Sequence, residues 1–401
     1  MVTDFISIAV IALVAALSPL IANLIPRKVV PETVFLIIAG AVLGPHMAGL
    51  IVLSDSVNLL GDLGLAFLFL LAGYEINTKH LTGTEGKRGF VTWLISLGIA
   101  FAIVLMIPQL RNNEIEIIAI AIALTTTALG TLMPIMKERG LMNTRVGNAI
   151  LSYGTYGELG PIIAMALLLS TRAEWKTVLI LLAFIAIAVL AAVFSSRARK
   201  AGGKIYHFLD DNANTTSQTA MRFTVLLLVA LTALSAIFHL DIIMGAFAAG
   251  FILRYVIPEG NSDLEMKLDG IAYGFLIPLF FVVSGAKVDL SAVLARPTVL
   301  IGFIVLLLLV RAVPIFVALS TGKSTKDMRV RNRVTVSLYC TTALPIIVAV
   351  TTIAVQVGAM SPGTSSVLVS AGAITVLVMP LLASLTHKAS DEIEEKESSQ
   401  N

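Results

Sequence analysis

Two short polar stretches decide the fold of this chain. The first reads Leu124-Thr125-Thr126-Thr127-Ala128-Leu129-Gly130 and lies in the middle of the apolar segment 114–137. The second reads Cys340-Thr341-Thr342-Ala343-Leu344-Pro345 and lies in the apolar segment 333–357. Threonine hydroxyls can satisfy backbone groups that are freed where a helix unwinds, and a proline removes one helical hydrogen bond. We therefore predict two interrupted helices at matching positions in two halves of the chain.

The composition around these stretches is that of a polytopic membrane protein. Hydrophobic residues make up 57% of the chain and charged residues 13%, and the mean hydropathy is +0.93. Charged residues are therefore about half as frequent as in soluble domains. Apolar stretches of about 20 residues recur along the chain, and each is long enough to cross a bilayer. We expect an all-α protein with about 13 transmembrane helices, because this pattern predicts the spans 4–25, 31–53, 57–79, 89–110, 114–137, 146–170, 176–196, 220–238, 240–257, 267–287, 297–320, 333–357 and 362–386.

The basic residues predict how the chain is oriented. Most of the 28 Lys and Arg residues fall in loops on one side of the predicted spans, which places the N-terminus outside and the C-terminus in the cytoplasm. The polar segment 197–219 is expected to link the halves, and 387–401 to form a short acidic cytoplasmic tail. Because the basic residues are spread among loops, no nucleic-acid partner is expected. The chain carries no P-loop or hydrolase motif, so we expect neither an enzyme nor a cofactor.

The two halves of the chain resemble each other. The octapeptide 68–75 parallels 280–287, and Thr126-Thr127-Ala128-Leu129 parallels Thr341-Thr342-Ala343-Leu344. The predicted repeats cover about 31–170 and 220–386 of a single transmembrane domain, 1–386. An odd number of spans separates the matching segments, which indicates inverted repeats with a binding site at mid-depth, as in many secondary transporters. The alternative is chance similarity among helices rich in Ala, Leu and Val.

The most informative single residue is Glu158, in Tyr153-Gly154-Thr155-Tyr156-Gly157-Glu158-Leu159-Gly160-Pro161. An acid at the centre of a span costs about 3 kcal/mol and is retained for a function. Burial favours its protonated form and a nearby cation favours the carboxylate, so that the site can hold either a proton or a metal ion. The alternative is a protonated side chain that only connects helices. The candidate ion and proton ligands are Glu158, Thr126, Thr127 and Thr155, with Na⁺ or K⁺ at Glu158 and Thr126, and with Thr341 and Thr342 on the crossing helix.

Two further charged residues are candidates for a supporting role. Arg311 is a basic residue deep inside a span, and it needs a carboxylate or a carbonyl partner. It either balances Glu158 when no cation is bound or braces a fixed structural pair. Glu75 lies about 10 Å from its helix centre toward the cytoplasm and could line an entry funnel.

Several motifs make the chain resemble the monovalent cation:proton antiporter-2 family of the bacterial sodium/hydrogen exchanger superfamily. They are the segments 25–32 leading into 39–45, Phe69-Leu70-Leu71-Ala72-Gly73-Tyr74-Glu75-Ile76, 132–140 and Phe280-Phe281-Val282-Val283-Ser284-Gly285-Ala286-Lys287-Val288-Asp289-Leu290. The resemblance implies a homodimer in the bacterial inner membrane, in which a core domain moves against a dimerisation domain to give alternating access. It also implies Na⁺ or K⁺ and protons as the transported ions.

The chain departs from that family at the ion-binding acid. The family usually has an aspartate preceded by Asp, Asn or Gln, whereas this chain has Gly157-Glu158. A single carboxylate exchanges one proton for one monovalent cation, so we predict electroneutral 1:1 exchange. Two other functions remain open at this point: a sodium-coupled symporter of a small organic anion on a related inverted-repeat fold, and a proton-sensing or channel-like protein.

Overall fold

The chain is described as a computed structural model, which covers residues 2–24, 32–75, 83–108, 113–142, 144–168, 218–237, 242–256, 262–322 and 325–387. All regular elements within these ranges are helices. They are α1 Val2–Leu24, α2 Glu32–Leu43, α3 Asp55–Glu75, α4 Thr84–Leu105, α5 Glu114–Ala123, α6 Leu129–Glu138, α7 Arg145–Leu168, α8 Thr219–Ile237, α9 Ile242–Val256, α10 Ser262–Ile271, α11 Ile277–Ala286, α12 Leu290–Ala295, α13 Pro297–Leu307, α14 Val313–Thr321, α15 Val330–Tyr339, α16 Pro345–Gln356 and α17 Pro362–Thr386.

The helices agree with a polytopic membrane protein. When α10/α11 and α13/α14 are each counted as one continuous helix, seven helices among the described residues are long and apolar enough to cross a membrane, and three shorter apolar helices accompany them. Each predicted span other than 176–196 coincides with a described helix or helix pair. Span 176–196, nearly all of the linker 197–219, the tail after residue 387 and most of the motif 25–32 lie outside the described residues.

One predicted span is wrong in length. Segment 31–53 was expected to be a single helix, but α2 ends at Leu43. Gly44 and Pro45 follow, and proline cannot continue the helical hydrogen bonds. The chain closes the helix with a turn instead, in which the amide of Ala48 donates to the Val42 carbonyl at 3.0 Å.

The described helices fall into two compact units. The first comprises residues 1–16, 50–76 and 166–284. Its helices α3 and α9 touch through their backbones, because a Cβ on Gly73 would overlap the Phe247 carbonyl and a Cβ on Gly250 would overlap the Leu70 carbonyl. Glycine on each helix is therefore what allows this close approach.

The second unit comprises residues 17–49, 77–165 and 285–401, and it contains both interrupted helices. The order helix, interrupted helix, helix occurs twice, first as α4, α5/α6 and most of α7 and again as α13/α14, α15/α16 and α17. Both interruptions span five residues, 124–128 and 340–344, as the threonine-containing stretches predicted.

The structure corrects the register of the two interruptions by one residue. The sequence comparison paired Thr126 with Thr341, but the structure pairs Thr125 with Thr341. Thr125 donates its hydroxyl to the Ile122 carbonyl at 2.9 Å, and Thr341 makes the equivalent bond to Leu338 at 2.6 Å. Thr127 therefore corresponds to Ala343, and a threonine is present there in the first half only.

Two long helices contain a π-helical turn that the sequence did not predict. One turn, Ala272–Leu276, joins α10 to α11, and the other, Leu308–Ala312, joins α13 to α14. Pro278 and Pro314 follow these turns by two residues. Each proline lacks the amide hydrogen that an α-helix would use, which favours the wider turn. The second turn carries Arg311.

Candidate functional site

The first interruption is built from the three threonines between α5 and α6. All three are fully buried. Thr125 and Thr126 donate their hydroxyls to the carbonyls of Ile122 and Ala123, each at 2.9 Å. The Thr125 hydroxyl adds a second donor to the Ile122 carbonyl, which also accepts from the Thr125 amide at 3.0 Å, and the Thr126 hydroxyl supplies a donor to the Ala123 carbonyl at the end of α5. Since the Thr126 hydroxyl uses its proton in this bond, its oxygen keeps lone pairs of the kind that hard cations prefer.

Thr127 connects three parts of the site. Its amide donates to the Gly157 carbonyl of α7 at 2.8 Å, and its hydroxyl donates to the Cys340 carbonyl in the second interruption at 2.5 Å. The same hydroxyl accepts hydrogen bonds from Nε and Nη2 of Arg311 at 3.1 and 3.0 Å. A hydroxyl has one proton and two lone pairs, so all of its bonding capacity is used.

The second interruption meets the first directly. The amide of Ala128 donates to the Thr342 carbonyl at 2.7 Å. On the other side, the amide of Ala343 donates to the hydroxyl of Thr375 in α17 at 3.2 Å. The Thr375 hydroxyl thus accepts a backbone amide of the second interruption, as the Gly157 carbonyl accepts one of the first. Thr341 and Thr342 are fully buried here, as expected of the crossing partner.

Arg311 is fully buried and bonded to neutral oxygens. Besides its two bonds to Thr127, its Nη2 donates to the Tyr153 carbonyl at 2.8 Å. Its Nη1 has no hydrogen-bond partner among the described residues. Of the two kinds of partner predicted for Arg311, a carbonyl is therefore present, together with a hydroxyl that the sequence did not indicate.

Gly157 makes room for this arginine. A Cβ at position 157 would overlap Arg311 Nη2 and the Thr127 hydroxyl, and it would lie 2.7 Å from the Thr127 Cβ. The guanidinium thus occupies the space that a side chain at position 157 would need. The departure noted in the sequence therefore has a steric reason.

Glu158 follows Gly157 in α7, one residue from the carbonyl that binds the first interruption. Its side chain is buried, with 6% exposure, and so is that of Thr155, with 4%. The Thr155 hydroxyl donates to the Leu151 carbonyl at 2.6 Å, which leaves its lone pairs as ligands. A carboxylate and threonine oxygens are suitable ligands for Na⁺ or K⁺, which prefer oxygen atoms as other hard cations do.

The structure brings nearly all of the predicted site residues into one unit. Glu158, Thr126, Thr127, Thr155, Arg311, Thr341 and Thr342 all belong to the second unit. Glu75 ends α3 in the first unit and is half-buried. Sequence reasoning missed Thr375 and the carbonyls of Tyr153 and Cys340. The repeat could have indicated Thr375, whereas no sequence signal marks a backbone carbonyl.

Comparisons with known proteins identify the family of this chain. The model of the family described as "Sodium/hydrogen exchanger, transmembrane" matches residues 9–388. The putative Na⁺/H⁺ antiporter YjbQ of Bacillus subtilis is 27% identical over 98% of this chain, which spans 65% of that protein's length. The glutathione-regulated potassium-efflux system protein KefC of Escherichia coli is 24% identical over 67% of this chain and 44% of its own.

A solved structure has a similar fold. The sodium proton antiporter MjNhaP1 from Methanocaldococcus jannaschii superimposes with a TM-score of 0.62 over 95% of this chain and 97% of that one. The sequence identity is 20%, so the likeness concerns the fold alone.

Proposed function

The chain belongs to the sodium/hydrogen exchanger family, and from that premise we propose that it exchanges a monovalent cation, Na⁺ or K⁺, for protons by alternating access. Glu158 is the shared site for the proton and the cation. The observation that carries this proposal is a buried carboxylate next to Gly157, whose carbonyl is bonded to the point where two interrupted helices meet.

Exchange follows from the two states of Glu158. In its protonated form the side chain is neutral and suits the buried position. When the proton leaves toward one side of the membrane, the carboxylate and the Thr126 hydroxyl bind a cation, with Thr155 close by on α7. The bound cation again neutralises the carboxylate, so Glu158 presents the same charge with either ion. The unit is expected to change its access in these two states and not with an unoccupied carboxylate.

Arg311 and Gly157 set the charge of the site. The guanidinium stays positive and is fixed by Thr127 and the Tyr153 carbonyl. Gly157 supplies no second carboxylate. One proton is then exchanged for one monovalent cation, and the cycle is electroneutral.

The division into two compact units supports a mechanism in which one unit moves and the other stays in place. The second unit, which holds the proposed site, moves relative to the first and exposes Glu158 to each side in turn. We further propose about 13 spans in inverted repeats, an outside N-terminus and a cytoplasmic C-terminus, and a homodimer in the bacterial inner membrane. Glu75, in the first unit, lines an entry funnel.

The organic-anion symporter is not favoured. The relatives named above are described as antiporters or as a potassium-efflux protein. The site also offers one buried carboxylate and small threonine oxygens. These groups suit a bare metal cation, whereas the carboxylate would repel an organic anion.

The test is ion exchange in proteoliposomes that contain a pH-sensitive dye. Adding Na⁺ or K⁺ outside is expected to move protons in the opposite direction without any organic solute. Glu158→Gln is expected to abolish this movement, because the amide keeps the size of the side chain but exchanges no proton. Glu158→Asp keeps partial activity. Full activity in a correctly inserted Glu158→Gln variant would show that the proton and cation bind elsewhere.

A further inference from the structure

Pro161 leaves one carbonyl of α7 without its helical donor. In an α-helix the amide of residue 161 would bond to the carbonyl of residue 157, four positions earlier. Proline has no amide hydrogen, and its ring pushes that carbonyl aside. The Gly157 carbonyl accepts instead from the amide of Thr127, at 2.8 Å.

Thr127, whose amide is held by the Gly157 carbonyl, is also the residue that connects the parts of the site. Thr127 binds Arg311 and the Cys340 carbonyl through its hydroxyl, while its amide is held by α7 next to Glu158. Arg311 also links Thr127 to α7, through the Tyr153 carbonyl. The bond to the Gly157 carbonyl is the direct backbone link, and it holds the first interruption, which carries the proposed Thr126 ligand, one residue from the carboxylate.

We propose that Pro161 is a positioning residue: by removing a competing donor, it dedicates the Gly157 carbonyl to Thr127 and so sets the cation site at Glu158. The effect on transport rests on the proposed function, whereas the hydrogen bond itself does not. Glycine at 157 and proline at 161 act together, because the first admits the arginine and the second frees the carbonyl.

α17 provides a matched control. Pro380 also lies inside its helix and frees the carbonyl of Val376, four positions earlier. Among the residues that the structure describes, no backbone donor from another element reaches that carbonyl. Pro380→Ala therefore makes the same chemical change without an interhelical bond to compete with.

The experiment compares two substitutions of Pro161. Pro161→Ala restores the amide hydrogen, which competes for the Gly157 carbonyl. Replacement by lactic acid, the ester counterpart of alanine, removes the ring but still offers no donor. We expect Pro161→Ala to raise the half-saturating cation concentration by about threefold to tenfold, as for the loss of one hydrogen bond. Its maximal rate is expected to change less. The ester variant and Pro380→Ala are expected to keep the wild-type value.

Hydrogen–deuterium exchange tests the bond without any transport. The Thr127 amide is expected to exchange faster in Pro161→Ala than in the wild type, and at the wild-type rate in the ester variant. Unchanged protection of Thr127 in Pro161→Ala, or equal defects in the alanine and ester variants, would overturn the proposal. If the wild type showed this protection but no cation exchange, the proposed function would fail and the positioning of Thr127 would stand.

Discussion

Gly157 lies against the Arg311 guanidinium, and only its missing side chain leaves space for that cation. A Cβ there would also lie 2.7 Å from the Thr127 Cβ, which is backbone-anchored and cannot swing away as a flexible side-chain end can. The position therefore couples two properties of the site. It excludes a second carboxylate, and it allows a fixed positive charge one residue from Glu158.

Gly157→Ala is accordingly expected to damage both stability and transport. Overpacking a well-filled interior costs about 1–3 kcal/mol, and displacement of Arg311 and Thr127 would lower exchange roughly tenfold or more. Melting of the detergent-purified protein and dye-reported exchange measure the two effects. Gly98→Ala in α4 is the control, because a Cβ there meets nothing within 4 Å. Wild-type melting and exchange in Gly157→Ala would mean that the guanidinium has room to move.

Arg311 is expected to matter through its hydrogen bonds as well as its charge. Arg311→Ala leaves the Tyr153 carbonyl without this donor and Thr127 with an unused acceptor, and each buried loss costs about 1–3 kcal/mol. Arg311→Lys keeps the charge and can reach one of the two acceptors, so it retains more stability and more exchange. Thermal melting measured beside transport orders the variants as wild type, lysine, alanine. Arg311→Ala that melts and transports like the wild type would show that these bonds are of no consequence.

At the scale of elements, the sequence predicted the interruptions but not how they are held. The three consecutive threonines and the pair before Pro345 are local signals, because threonine hydroxyls can bond to backbone groups that are freed where a helix ends. The bond from Thr127 to the Gly157 carbonyl, the hydroxyl of Thr375 and the π-helical turn at Arg311 depend on which helices become neighbours. No local sequence pattern indicates which helices become neighbours. The register error of one residue has the same origin, since Thr127 has no counterpart threonine in the second half.

The short helix α12 provides a prediction about pH. Asp289 caps it: one carboxylate oxygen accepts from the Ser291 hydroxyl at 2.6 Å and from the amides of Ser291 and Ala292 at 2.9 and 3.2 Å. These bonds, the Ser291 hydroxyl first among them, hold the pKa of Asp289 below its ordinary value. A carboxyl with a lowered pKa stabilises the fold above its unfolded pKa, and the stabilisation is lost as pH falls through the folded pKa.

We therefore expect the cap of α12 to weaken as the pH falls below about 4, the ordinary pKa of an aspartate, because Asp289 then takes up a proton. Asp289→Asn keeps an acceptor and removes the pH dependence, whereas Asp289→Ala weakens the cap at every pH. Hydrogen exchange of residues 290–295, corrected for intrinsic rates, measures this. The internal control is α17, whose cap Ser361 accepts from the Thr364 amide at 3.1 Å and does not titrate. Equal pH dependence in the wild type and Asp289→Asn would contradict the assignment.

For the whole molecule, the division into units determines which charged residues would move during the proposed transport cycle. Glu158 and Arg311 belong to the second unit, whereas Glu75 belongs to the first. If the second unit moves relative to the first, only charges that travel with it, and the ions bound to them, cross the membrane field. Arg311 keeps one charge throughout. In the proposed cycle, Glu158 is neutralised by a proton in one direction and by a cation in the other.

The cycle is therefore expected to move no net charge and to ignore the membrane potential. One unit charge crossing 100 mV changes the free energy by about 2.3 kcal/mol, which would shift a transport equilibrium about fifty-fold. We expect no such shift when proteoliposomes are clamped with an ionophore for a non-substrate ion while exchange is followed with the pH dye and with direct current recording. A current that reverses with the cation gradient would require a second titrating carboxylate. Glu75→Gln tests one candidate: loss of that current with exchange retained would assign the second proton to Glu75 and would contradict a cycle in which only charges of the second unit cross the field.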